Sequence, residues 1–470
     1  MLMIPINGAI FEMRHKMIAL LISFVVLTAS ASWTTRAQIK MPRVEFRERT
    51  LGNGLRVISA VDRSTPTVAI HVWYHVGSKD DPPGRSGFAH LFEHIMFKST
   101  RNMKAEMMDR LTEDVGGFNN ASTNDDVTNY YEVVPSNYLE TLLWAEADRM
   151  SSLNVDDKNF ISERDVVKEE FNTSVLAPPY GRLFYAVDKD SFAVHPYHRP
   201  TIGSKEDLDA STLENVRAFH ETFYRPDNAV LIVVGDFDEK QLDGWVDKYF
   251  GKIGKPAGAI PRVTVKEPER TAEKRFNETG PNVPLPAVAI TYPAPPISSP
   301  DADVLHIAEA VLGSGESSRL YQSLVYQQQI AAEALASANL REQPGYFAIG
   351  AILASGKKPD DAERALLAEL KRMQDEPVSK AELEKAVNQL VASQLRERET
   401  NNGKAFAIGN AALLMGDSSR VNTDIDHLQA VTAADLQRVM KKYFGDTKRV
   451  VITYQGEVKK PGAAPSEGRR

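Results

Sequence analysis

The feature that most constrains the fold of this chain is one structural pattern that occurs twice, 220 residues apart. Residues 216–237 read VRAFHETFYRPDNAVLIVVGDF, which is typical of an amphipathic helix, a turn and a continuous apolar strand. Residues 436–457 read LQRVMKKYFGDTKRVVITYQGE and show the same order. Two residue pairs match at that offset, Phe223 with Tyr443 and Ile232 with Ile452. The pattern therefore predicts two similar half-chains.

Each half-chain mixes strand and helix patterns. Strands are predicted at 55–60, 67–75, 127–134, 229–234, 286–292 and 345–353, and helices at 135–150, 157–176, 360–373 and 380–398. A stretch rich in Gly and Pro, at 256–269, is the predicted linker between a first domain at 42–255 and a second at 270–457. We predict an α+β fold with helices covering the sheets, and a disordered tail at 458–470.

Composition excludes several classes of protein. The 470 residues are 42% hydrophobic and 25% charged, which is ordinary for a globular protein of two or more domains. A net charge of -7 argues against nucleic-acid binding, which favours basic surfaces. The chain has no cysteine, so thiol catalysis, disulfides and cysteine-based metal sites are excluded, and any metal must use His and carboxylate ligands.

The N-terminal segment predicts export. Basic residues at 14–16 precede an apolar run from Met17 to Leu27, and Ala29 and Ala31 follow at the spacing of a cleavage site. We predict a signal peptide at 1–31, cleavage after Ala31, a periplasmic location and no membrane segment in the mature protein. The alternative is a membrane anchor, but the run is shorter than the roughly 20 residues that span a bilayer.

The segment 87–98, GFAHLFEHIMFK, places two histidines and a glutamate among residues suited to a core. Burying these polar groups costs a few kcal/mol each unless they have partners. On a helix, His90 and His94 lie on one face with Glu93 beside them. Zinc binds imidazole pairs of this kind, and H-x-x-E-H is a zinc-peptidase signature. The alternative is an exposed helix face with incidental histidines.

A third ligand is sought among the carboxylates of ERDVVKEE at 163–170. On the predicted helix, Glu163 and Glu170 share one side, whereas Glu169 faces elsewhere. If the register of this helix is different, Glu169 is the ligand instead. The alternative is an acidic helix surface that faces solvent.

Four segments in order carry a family resemblance: GFAHLFEHIMFKST, GGFNNASTNDDVTNYYEVVP, ERDVVKEE and PYHRPTIG. From about residue 44 to 457 the chain resembles the inverted zinc peptidases that include pitrilysin, insulin-degrading enzyme and the mitochondrial processing peptidases, especially their short bacterial members. The resemblance implies two homologous α/β domains that face each other across a cavity for peptides and unfolded segments. It also implies that Glu170, 76 residues after His94, completes a zinc site with His90 and His94.

The resemblance and the chemistry together assign further roles. Glu93 is predicted to act as the general base of an endopeptidase. Glu163 is predicted to orient a ligand rather than bind the metal. The stretch 116–123 matches the family's edge strand, where a peptide pairs with Asn120 and Ala121. The alternative for this stretch is an ordinary hairpin strand.

One departure from the family pattern concerns the second domain. Many members carry an Arg and a Tyr there that contact substrate and help stabilise the tetrahedral intermediate. Alignment on Ser317–Leu320 places Val325 and Ala332 at those positions, and Arg341 lies too far along. Two hypotheses follow: a zinc endopeptidase whose homologous partner subunit supplies the Arg and Tyr, or a zinc-holding peptide-binding or assembly protein with little turnover. An intact Glu93 favours the first.

Overall fold

The computed structural model describes residues 42–457, so the predicted signal peptide and tail lie outside the described residues. A six-stranded sheet occupies the first half, in the order β1-β2-β6-β3-β5-β4. Its strands are β1 (Arg47–Thr50), β2 (Arg56–Val61), β3 (Thr67–Tyr74), β4 (Phe118–Thr123), β5 (Thr128–Pro135) and β6 (Ala229–Gly235). The strand β6 is buried along its whole length, as expected of a continuous apolar run at the centre of a sheet.

A five-stranded sheet occupies the second half, in the order β7-β11-β8-β10-β9. Its strands are β7 (Lys274–Gly280), β8 (Ala287–Pro293), β9 (Ala331–Asn339), β10 (Tyr346–Leu353) and β11 (Val450–Gly456). The strand β11 runs parallel to β7 and antiparallel to β8, just as β6 runs parallel to β2 and antiparallel to β3. The two sheets therefore share one topology, as the 220-residue repeat predicts, and β4 and β9 are equivalent edge strands.

Helices cover both sheets. They are α1 (Phe88–Ile95), α2 (Met107–Glu113), α3 (Leu139–Ser152), α4 (Asp157–Phe171), α5 (Gly181–Ser191), α6 (Lys205–Asp209), α7 (Leu213–Phe223), α8 (Glu239–Tyr249), α9 (Ala302–Gly313), α10 (Pro359–Asp375), α11 (Lys380–Glu397), α12 (Asn401–Gly409), α13 (Asp424–Ala430) and α14 (Ala433–Tyr443). The helices α7 and α14 have equal length and lie 220 residues apart. The predicted class of two mixed α/β domains is confirmed.

The two halves exchange helices, which the sequence does not reveal. Leu183 and Val187 of α5 join the core of the second sheet, with Ala289 and Ile452 among its members. In return α12 lies on the first sheet, where a side chain at Gly409 would come within 2.5 Å of the ring of Trp73. Each sheet thus buries one of its faces against a helix from the other half.

The segment between the sheets, 256–269, contains neither helix nor strand. One carboxylate holds it to the first half: Glu267 accepts backbone N–H donors from Ala193, Val194 and His195 at 2.6–3.0 Å. Within residues 42–457, no helix combines the length and the apolar character needed to span a membrane.

Candidate metal centre

The helix α1 owes its position to an apolar face and a side-chain cap. Phe88, Leu91 and Ile95 are fully buried in the core of the first domain. The carboxylate of Asp81 accepts the backbone N–H groups of Gly87, at 2.7 Å, and Ala89, at 2.9 Å. These two amides begin the helix and have no partner within it, so the cap satisfies them. The opposite face of α1, which carries the histidines, packs against α4.

Three predicted ligands come together between α1 and α4. The Nε2 atom of His94 lies 3.3 Å from Oε2 of Glu170, and Nε2 of His90 lies 3.6 Å from the same oxygen. One ligand atom from each residue lies within 4.8 Å of the other two. In contrast, the carboxylate of Glu169 accepts a hydrogen bond from Asn172 on the exposed side of the helix. The register of α4 therefore favours Glu170 over Glu169.

The donor set fits zinc. In a tetrahedral site with bonds of about 2.1 Å, neighbouring donor atoms lie about 3.4 Å apart, close to the two distances to Glu170. Two imidazoles and one carboxylate with one position left open are a common ligand set of catalytic zinc. In addition, Nδ1 of His90 is buried without a hydrogen-bond partner. A metal bound at Nε2 would compensate for burying an imidazole here.

The protonation of the three side chains suits metal binding. Burial lowers the pKa of His90 to about 4, so this ring is neutral and free to donate an electron pair. The contact with His94 holds the pKa of Glu170 below its usual range, against the opposing effect of burial. Burial acts against the charged form of His94, but Glu170 outweighs it and raises the pKa of this histidine. Because metal ligands are unprotonated, a bound cation would compete with a proton for His94.

Glu93 lies between the two histidines in the sequence and is partly buried. Burial raises its pKa, while the hydroxyl and the backbone N–H of Thr123, at the end of β4, act in the opposite direction. The charge of His94 also lowers this pKa, and the charge of Glu170 raises it. A carboxylate with a raised pKa next to a metal site is suited to take up and release a proton.

Glu163 lies behind His94 and does not join the ligand atoms. Its Oε2 atom is 3.9 Å from Nδ1 of His94, and its Oε1 atom forms an ion pair with Nζ of Lys98 at 3.0 Å. Only 6% of the side chain is exposed. This position, on the far side of the imidazole, suits a group that orients the ring, as predicted. Sequence reasoning missed Lys98, which lies four residues after His94 and just beyond the end of α1.

The strand β4 is the free edge of the first sheet. It pairs with β5 on one side only, with Asn120 opposite Tyr131 and Ala121 opposite Tyr130. The backbone N–H of Ala121 donates to Oδ1 of Asn120 at 2.8 Å, so it is directed at a neighbouring side chain. The predicted edge strand is therefore present, and Thr123 at its end lies beside Glu93.

The second domain offers no Arg or Tyr where the family pattern expects them. Val325 is partly exposed and Ala332, in β9, is exposed. Arg341 is 4% exposed and is bound to Asp125 at 3.0 Å and Asp188 at 2.7 Å. These contacts commit its guanidinium to the interface between the domains, which agrees with the prediction that Arg341 does not replace the missing arginine.

Comparisons with known proteins identify the family of this chain. Residues 56–205 match the family model described as Insulinase (Peptidase family M16), and residues 210–390 match the model described as Peptidase M16 inactive domain. The zinc protease PqqE of Helicobacter pylori is 30% identical over 94% of this chain and 99% of its own. A probable beta subunit of the mitochondrial-processing peptidase of Arabidopsis thaliana is 25% identical over 88% of this chain and 79% of its own.

Solved structures give the same result. A crystal structure of a protease from Helicobacter pylori superposes with a TM-score of 0.84 and 29% identity, covering 87% of this chain and 99% of the other. The periplasmic protease PqqL of Escherichia coli matches at a TM-score of 0.70 and 17% identity, covering 88% of this chain but 48% of PqqL. The first half of PqqL alone is covered to 93%. By its sequence and its fold, the chain belongs to the insulinase family of peptidases, peptidase family M16.

Proposed function

We propose that the chain is a zinc-dependent endopeptidase that hydrolyses peptides or unfolded segments, with a homologous partner subunit completing its active site. The observation that carries the proposal is the convergence of His90, His94 and Glu170 on one point with Glu93 beside it. Zinc held by these three ligands supplies Lewis-acid chemistry at the scissile carbonyl.

The side chains of the protein perform the proton transfers. Glu93 takes a proton from the attacking water and passes it to the leaving amine. Because burial raises the pKa of Glu93, its carboxylate is a stronger base for the first step than an exposed glutamate. Glu163 holds His94 from behind, supported by Lys98, and so restricts the direction in which the ring presents Nε2.

The substrate is proposed to add to β4 as an extra strand. The free edge of β4 ends at Thr123, next to Glu93, so a peptide paired there would carry its backbone past the metal centre. Asn120 and Ala121 provide the contacts. Recognition through backbone pairing favours extended segments over folded proteins, since the backbone of the substrate must be unpaired before it can bind to β4.

The partner subunit is proposed because this chain carries Val325 and Ala332 at the positions of the family's Arg and Tyr. Val325 and Ala332 offer no hydrogen-bond donors from their side chains. The chain spans about half of PqqL, and it is similar to a protein named as one subunit of a mitochondrial-processing peptidase. A separate homologue that carries the Arg and Tyr would play the corresponding role here.

The missing Arg and Tyr also support a second function. A peptide-binding or assembly protein that holds zinc needs no oxyanion donors, and the model that matches residues 210–390 is described as an inactive domain. Such a protein has no use for a general base, so the partly buried Glu93 beside the histidines favours the enzyme.

Peptide cleavage with and without the partner tests the proposal. Each missing donor is worth about 3 kcal/mol, or roughly a factor of 10²–10³ in rate. The zinc-loaded chain alone should therefore cleave a mixed peptide pool weakly, and a homologue with the Arg and Tyr should raise the rate without binding zinc itself. Products are read by mass spectrometry, with Glu93→Gln as the control. A chain that cleaves at a rate no such homologue improves would refute the partner, and no cleavage under either condition would favour the binding protein.

Location is proposed to be periplasmic after export. The pattern at 1–31 supports it, and the PqqL protease that shares this fold is described as periplasmic. Sequencing the N-terminus of the protein recovered from a periplasmic extract should place the first residue directly after Ala31. An intact N-terminus on a membrane-bound protein would contradict the cleavage.

A further inference from the structure

The loop between β9 and β10 of the second domain inserts charged residues into the first domain. Arg341 binds Asp125 and Asp188, as described above. The next residue, Glu342, donates its backbone N–H to Oδ2 of Asp126 at 2.9 Å. Gln343 follows and donates its backbone N–H to the hydroxyl of Tyr197 at 3.1 Å. Three consecutive residues of this loop are therefore bound to the first domain.

The side chain of Glu342 meets a buried lysine. Its carboxylate contacts the ammonium of Lys79 and lies 2.9 Å from Nε2 of His75. Lys79 is 3% exposed and also binds Asp126, which is 4% exposed, at 2.8 Å. A buried ammonium with few alternatives to these two carboxylates resists displacement, because breaking one pair leaves an uncompensated charge. The position of Lys79 is therefore tied to the second domain.

The short turn that contains Lys79 leads directly to the cap of the metal helix. The carboxylate of Asp81 holds the amides of Gly87 and Ala89. Arg199 fixes the backbone of the turn by donating to the carbonyl of Lys79 at 2.9 Å and to that of Asp81 at 2.6 Å. Because Ala89 immediately precedes His90, a shift of the turn moves the start of α1 and with it the direction of the first ligand.

We infer that Glu342 is a positioning residue for the metal centre: through Lys79 and the Asp81 cap, the second domain sets the orientation of α1. The inference rests on the proposed metal site. It gives the second domain a role in a centre to which it supplies no ligand. Buried ion pairs often stabilise an interface no more than apolar residues of similar size would. A positioning role therefore gives a reason for the buried charges of Glu342, Lys79 and Asp126 at this interface.

Substitution of Glu342 tests the inference against a matched control. Glu342→Gln removes one carboxylate from Lys79. Glu382→Gln removes one from Arg319, which it binds at 2.7 and 2.9 Å within the second domain. The two glutamate side chains are 28% and 27% exposed, so the substitutions perturb similar environments. The measurements are hydrogen exchange of the backbone amides at 89–94 in the metal-free protein and zinc affinity in competition with a chelator.

Glu342→Gln should raise the exchange rate of these amides about tenfold and weaken zinc binding about threefold to tenfold, at the lower end of the effects of indirect metal contacts. Glu382→Gln should leave both unchanged. Equal effects of the two substitutions would show that Glu342 contributes only to general stability. No effect of either substitution would show that Glu342 does not influence α1. Both results would overturn the inference. If Glu342→Gln does not fold, Glu342→Asp should show the same changes to a smaller extent. Exchange in the metal-free protein tests the coupling even if zinc does not bind, which would instead refute the proposed function.

Discussion

At the scale of single residues, four glutamates in or near the candidate site have different surroundings and different proposed roles. Glu170 faces the two histidines, Glu163 lies behind one of them, Glu169 faces solvent, and Glu93 is partly buried beside the centre. All four side chains are chemically identical, so burial and neighbouring charges decide which carboxylate binds a cation and which exchanges a proton.

Replacing Glu93 tests the proton-transfer role. Glu93→Gln is nearly isosteric and leaves the three ligands in place, so zinc content should be unchanged. Without the acceptor, hydrolysis should fall by roughly 10²–10⁴-fold. Zinc is measured by metal analysis and hydrolysis with peptides from the mixed pool. A variant that keeps most of its activity would exclude Glu93 as the general base.

Neighbouring glutamates on α4 provide a matched pair for the third ligand. Glu170→Gln removes a charged donor and should lose zinc under mild chelation. Glu169→Gln, one residue earlier on the exposed side, should retain it, since its carboxylate contacts only Asn172. Metal content after dialysis against the chelator distinguishes the two. The opposite result would show that the register of α4 in solution differs by one residue.

At the scale of secondary-structure elements, the site combines a helix that is capped from outside with a strand that is paired on one side only. The start of α1 depends on Asp81, which belongs to a different segment. The strand β4 leaves one edge free and occupies the outward-directed N–H of Ala121 with the side chain of Asn120. Polar residues at Asn119, Asn120 and Ser122 suit an edge that avoids aggregation yet accepts a peptide.

Proline at the edge strand tests substrate pairing. Ala121→Pro removes the N–H group, and proline is tolerated on edge strands, so the fold should survive. Losing one backbone hydrogen bond should lower kcat/KM about threefold to tenfold, with zinc content unchanged. Ala121→Gly keeps the N–H and is the control for the altered strand. Equal losses in both variants would point to strand order rather than to a hydrogen bond with the substrate.

At the scale of the whole molecule, the two domains are joined by exchanged helices and by buried charges. The helices α5 and α12 each lie on the sheet of the other half. The interface also holds Arg341, Glu342 and Lys79, whose charges are compensated across the domain boundary. Separation of the domains would expose two sheet faces and break these pairs together, so we expect the two halves to move as one body.

The charge of Glu342 predicts an acid-dependent loss of stability. Burial acts to raise the pKa of Glu342, but the hydrogen bond with His75 and the charge of Lys79 outweigh it and lower the pKa to about 2. A glutamate in an unfolded chain has a pKa of about 4.3. The folded state therefore binds fewer protons between these values, and the stabilisation is complete above about pH 4.3 and lost as the pH falls toward 2.

Unfolding by urea at several pH values measures this effect. The difference in free energy of unfolding between the parent and Glu342→Gln should be constant from pH 7 to 5 and shrink below about pH 4, where Glu342 takes up a proton. Substitution of exposed Glu169 by Gln is the control and should give no such trend. A difference that stays constant or grows on acidification would contradict the sign of the shift.

The sequence by itself determined the features that depend on local periodicity. Spacing of four residues puts His90 and His94 on one face of α1, and the repeat at 220 residues predicts two domains of one topology, because helix and strand patterns extend over neighbouring residues. The family resemblance added Glu170, which local spacing alone left open. Tertiary structure decided which helix lies on which sheet, that Lys98 supports Glu163, and that Glu342 reaches Lys79. These contacts join residues far apart in the chain, and their strength depends on burial, which appears only when both halves are folded together.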